Sequence, residues 1–65
     1  MKTKAENLYE KIIQRKFWEA DYHKMNMALH RDMLKQGRAG DALRALSEAH
    51  INDVRVKLLE EMLET

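Results

Sequence analysis

The chain has 65 residues, a formal net charge of +1, two Gly, no Pro and no Cys. That length holds one domain at most, and without Cys neither a disulfide staple nor a thiolate metal site can form. No apolar run approaches the roughly 18 residues of a membrane span, and the N-terminal MKTKAENLYEK is too polar for a signal peptide, so a cytoplasmic protein is expected.

The scarcity of Gly and Pro leaves little material for sheet turns, whereas Ala, Leu, Glu, Lys, Met and Arg dominate and all favour helix. An all-α fold is expected. Thr3-Lys4-Ala5-Glu6 matches the S/T-x-x-E/Q capping box and predicts where the first helix starts. Leu8, Tyr9, Ile12 and Ile13 then form an apolar stripe. Nothing interrupts the helix before Gly37, which suits a left-handed C-terminal cap, and Lys35 complements the dipole in the last turn. A continuous helix over about residues 3–36 is the first expectation. The apolar phase rotates sharply between residues 13 and 18, so a break near residues 14–17, giving a three-helix bundle, is the alternative.

The middle of this helix, residues 17–36, holds the only Trp and the only Phe. At about 100° per residue, Trp18, Tyr22, Met25 and Leu29 share one side. Ile13, Phe17, Ala20, Met27 and Ala28 form a broader stripe roughly opposite, interrupted by Lys24 and Arg31. A helix with two apolar stripes is usually sandwiched between two neighbours. One broad core face with ragged edges is the simpler alternative.

Gly37-Arg38-Ala39-Gly40 reads as a loop, and Asp41 as the N-cap of a second helix over about residues 41–64. Leu43, Leu46, His50 and Val54 share a face, joined by Ile51, Leu58 and Met62. Glu60, Glu61 and Glu64 lie at the unfavourable end of the dipole, where fraying is expected. So short a loop makes the helices antiparallel neighbours, pairing residue i with about 77 − i. The expected core of this hairpin is Trp18, Tyr22, Met25 and Leu29 against Leu43, Leu46, His50, Val54, Leu58 and Met62. The first helix outruns the second, leaving Leu8, Tyr9 and Ile12 uncovered. With Ile13, Phe17, Ala20, Met27 and Ala28 these form an expected interface for another copy or a target. Residues 1–38 carry a charge of +4 and residues 39–65 a charge of −3, which favours folding one half onto the other. A hairpin of this size falls short of burying enough apolar surface alone, so a homodimer forming a four-helix bundle is expected.

Chemistry is sparse. Glu19, His23, Asn26 and His30 recur at spacings of four, three and four, but two or three ligands on one helix do not enclose a metal. They read as a polar face between two apolar stripes. Ser47, His50 and Asp53 have the residue types of a hydrolytic triad, but a regular helix turns them away from one another and its N–H groups are in use. No enzyme, cofactor or metal is expected. The expected function is a non-catalytic interaction or regulatory protein, such as a small phage- or plasmid-type inhibitor or adaptor or a subunit of a larger assembly. The alternative is nucleic-acid binding by the basic first helix and loop through Arg15, Lys16, Arg31, Lys35, Arg38 and Arg44. A hairpin dimerising into a four-helix bundle is similar in architecture to small plasmid copy-number regulators that bind paired RNA loops, although no motif is shared.

Overall fold

The computed structural model describes residues 1–64. Two helices make up the fold, α1 (Lys4–Lys35) and α2 (Ala39–Glu64), packed against each other as a hairpin. α1 starts where the capping signal lies: Thr3 is extended, and its hydroxyl accepts the Glu6 N–H at 3.1 Å. It runs unbroken through residues 14–17, so the three-helix alternative is not adopted. At its end Gly37 takes φ +74°, and its N–H donates to the Leu34 carbonyl at 3.1 Å. The Arg38 N–H reaches back to the Met33 carbonyl at 2.9 Å, completing a Schellman cap.

This cap reverses the chain so quickly that the loop is shorter than expected. α2 begins at Ala39, and the Ala42 N–H donates to the Arg38 carbonyl at 2.9 Å. Asp41 is therefore not the N-cap. It sits in the first turn, where its charge suits the dipole, and it pairs with Arg38.

The hairpin is a thin slab of 53 × 20 × 12 Å. Its radius of gyration is 15.3 Å, against about 11 Å for a compact domain of this length. Residues 1–11 are all exposed, so Leu8 and Tyr9 lie on an uncovered overhang, as the helix lengths imply.

The seam between the helices differs from the expected core. On α1 the residues withdrawn from solvent recur as Ile12, Lys16, Glu19, His23, Asn26, His30 and Met33. On α2 they recur as Ala42, Ala45, Ala49, Asn52, Val56, Leu59 and Leu63. Both series alternate steps of three and four, the heptad spacing of two helices that share a straight seam. Trp18, Tyr22, Met25, Leu29, Leu43, Leu46, His50, Val54, Leu58 and Met62 are instead exposed in the single chain, Trp18 by 57% and Met25 by 62%. The physical reason is size. Ala42, Ala45 and Ala49 are the buried hydrophobics, and a methyl group lets the helices approach closely while leaving the α2 backbone accessible. Opposite these alanines the seam holds Glu19, His23, Asn26 and His30, and the bulkier apolar seam residues Ile12, Met33, Val56, Leu59 and Leu63 lie toward its ends. Of the second apolar stripe, Ile13, Ala20 and Met27 are half-buried beside it, whereas Phe17 and Ala28 are exposed; Ile12, expected on the uncovered overhang, is half-buried because the seam extends to it.

Candidate interaction surface

The polar stripe of α1 fills the seam. His23 and His30 each bring Nδ1 to a backbone carbonyl of α2, Ala49 at 2.9 Å and Ala42 at 2.7 Å. A carbonyl only accepts, so each Nδ1 carries the hydrogen. The small alanines let the two helices approach closely enough for the imidazoles to reach these carbonyls. Further along, Asn26 donates from Nδ2 to the Asn52 Oδ1 at 2.9 Å, and Asn52 donates from Nδ2 to the Glu19 carboxylate at 2.7 Å. Glu19 and Asn52 are buried, at 3% and 7% exposure. Arg15 at 3.0 Å and Arg55 at 3.6 Å supply the positive charge that a buried carboxylate requires. Every buried side-chain polar atom among the described residues has a partner.

The charge asymmetry between the two halves is only partly expressed as pairs. Lys16 on α1 meets Glu60 on α2 at 3.6 Å, in the expected sense, but the Arg55–Glu19 pair runs the other way. The candidate nucleic-acid contacts divide into two groups. Arg15, Lys16 and Arg38 are held by Glu19, Glu60 and Asp41. Arg31, Lys35 and Arg44 have no carboxylate partner among the described residues.

Ser47, His50 and Asp53 are not brought together. Ser47 and His50 line a cleft of 540 Å³ with Leu46 and Ile51, while Asp53 turns to Lys57 at 3.1 Å. The hydrogen bond from Lys57 holds the Asp53 carboxyl below its usual range. Among the described residues no group of three or more His, Asp or Glu could hold a metal ion, and no helix is long and apolar enough to cross a membrane.

What remains is apolar surface. Trp18, Tyr22, Met25 and Leu29 stand exposed along one side of α1, and Ile51, Leu58 and Met62 along α2. Two clefts show that these stripes open on the same side of the slab. Leu29 shares one with Arg44 and Glu48, a space of 280 Å³. Arg15 shares the other with Arg55, Leu58 and Met62. The total accessible surface is 5372 Å², where a compact protein of 7.7 kDa exposes about 4,300 Å².

Residue-by-residue reading of the sequence missed Asn52 and the three alanines as seam residues. The signal was there in spacing: Glu19, His23, Asn26 and His30 step four, three, four, and Ala42, Ala45, Ala49 and Asn52 step three, four, three. Comparison with protein-family models, curated proteins and solved structures finds no match to this chain.

Proposed function

We propose that this chain is a non-catalytic interaction protein, an inhibitor, an adaptor or a subunit of a larger assembly. Its apolar helix faces are covered by protein, first of all by a second copy in a dimeric four-helix bundle. The observation that carries this reading is the mismatch between seam and surface. The hairpin closes its own seam with alanines and hydrogen-bonded polar groups and leaves its largest hydrophobic side chains outside. The excess of roughly 1,000 Å² over a compact protein exceeds the roughly 800 Å² that each partner buries in a stable interface. Residence in the cytoplasm belongs to the same proposal.

The test is the mass in solution by light scattering, from about 1 to 100 µM, in low and high salt. A dimer or larger species that persists in high salt supports an apolar interface, since screening barely touches buried hydrophobic contact. A monomer throughout overturns self-association. The second reading, nucleic-acid binding, rests on Arg31, Lys35 and Arg44 near the loop. It requires affinity for RNA or DNA that falls steeply with salt; the absence of any such binding removes it.

A further inference from the structure

The exposed stripes are not merely apolar; their order along each helix is self-complementary. On α1 the stripe is Arg15, Trp18, Tyr22, Met25, Leu29 and Asp32, alternating three and four. Each member precedes a seam residue by one position: Lys16, Glu19, His23, Asn26, His30 and Met33. On α2 Arg44, Glu48, Ile51, Arg55, Leu58 and Met62 likewise precede Ala45, Ala49, Asn52, Val56, Leu59 and Leu63. One residue is about 100° of helix rotation, close to the right angle between the two neighbours of a helix in a square four-helix bundle. The hairpin therefore presents one flat second face, along the same side of both helices.

We infer that this face is covered by a second copy of the chain, α1 on α1 and α2 on α2, antiparallel about a two-fold axis that passes α1 between His23 and Lys24. The inference rests on the dimeric reading above and fixes its register. In this register Tyr22 meets Met25 of the second copy, Trp18 meets Leu29, and Arg15 meets Asp32. Because the interface is isologous, each contact occurs twice. Along α1, apolar residues fall on apolar residues and the flanking charges fall on their opposites.

The intrachain geometry carries the axis across to α2. The seam contacts His23–Ala49, Glu19–Arg55 and Lys16–Glu60 place α2 residues 49–52 opposite the same point of α1. An axis at the Ile51 end of that span brings Ile51 onto its own symmetry mate and Glu48 near Arg55 of the second copy, and it also sets Arg44 near Leu58.

The other two-fold arrangement sets α1 on α2 of the second copy. At the same heights it places Met25 and Leu29 against Glu48 and Arg44, and Arg15 against Leu58 and Met62. That mixes apolar with charged residues at those levels and leaves Tyr22 on Ile51 as an apolar contact, whereas the first arrangement sorts α1 fully and mixes only on α2, where Arg44 falls near Leu58 of the second copy; sorting along α1 selects the first arrangement.

Charge reversal tests the register. Arg15→Glu and Asp32→Arg, each alone, place like charges at both ends of the α1 pair and weaken the dimer by about tenfold or more. Mixed together, the two variants regain wild-type affinity as a heterodimer, and the doubly reversed chain R15E/D32R regains it as a homodimer. Light scattering reads the mass, Trp18 emission reads burial of the only Trp, and circular dichroism confirms that each variant is folded. Arg15→Glu also breaks the Arg15–Glu19 pair; Asp32→Arg has no such contact and stands as the second variant. A wild-type dimer in which the two reversals simply add, with no rescue in the mixture or the double variant, overturns the register and leaves the dimer standing. A wild-type monomer to about 100 µM overturns both.

Discussion

The Asn52 carboxamide on α2 donates to the Glu19 carboxylate on α1 at 2.7 Å, inside a helix pair whose buried hydrophobics are alanines. Two buried polar groups thus sit at the centre of the fold, while Trp18 stands outside it. Such a contact stabilises modestly but discriminates strongly, because any slip in the pairing leaves a carboxylate unpaired out of water.

Asn52→Leu tests this directly. It removes one donor from Glu19 and leaves the Asn26 amide without its acceptor. The expected cost is about 2–3 kcal/mol of unfolding free energy, measured by urea denaturation at one fixed protein concentration. The double variant E19L/N52L recovers most of that loss, since an apolar pair replaces the buried polar one without desolvation cost. A loss within about 0.5 kcal/mol for Asn52→Leu, the range of ordinary surface changes, contradicts these hydrogen bonds.

Ala49→Leu tests the narrow seam. On an exposed helix position this change is close to neutral, because both residues favour helix. At Ala49 it forces the helices apart and moves His23 away from the carbonyl it uses. The expected loss is about 1–3 kcal/mol, read from the same denaturation curves. No loss at all would mean that the helices do not pack through the alanines.

The two glycines should respond in opposite directions. Gly37 has φ +74°, so Gly37→Ala costs about 1–2 kcal/mol for forcing an L residue into the left-handed region. Gly40 lies within α2, and an added Cβ meets nothing within 4 Å. Gly40→Ala should stabilise by about 0.4–1 kcal/mol, through helix propensity and reduced freedom of the unfolded chain. Thermal melts of the two variants check both signs.

Tyr22→Glu and Phe17→Glu separate the two apolar stripes of α1. Tyr22 belongs to the face that shares a side with Leu58 and Met62, and Phe17 does not. Tyr22→Glu should lower the mass to that of a monomer, whereas Phe17→Glu should leave it unchanged. Dissociation by Phe17→Glu alone would move the interface to the other stripe.

The sequence by itself determined the helices. Thr3 marks where α1 starts, Gly37 marks its stop, and the absence of any breaker between them made a long helix and a short return unavoidable. These are local effects, set by capping bonds and backbone freedom within a few residues. The antiparallel pairing was also legible, because a short loop allows no other. Which faces meet was decided only by the tertiary structure. Hydrophobicity alone ranks Trp18 and Leu29 above His23 and His30 as core. The opposite outcome depends on a cross-helix match: a polar stripe on one helix against small alanines on the other, close enough for imidazoles to reach carbonyls. Neither helix holds that information alone, since the cost of burying Glu19 or His30 is met by groups 33 and 12 positions away along the chain.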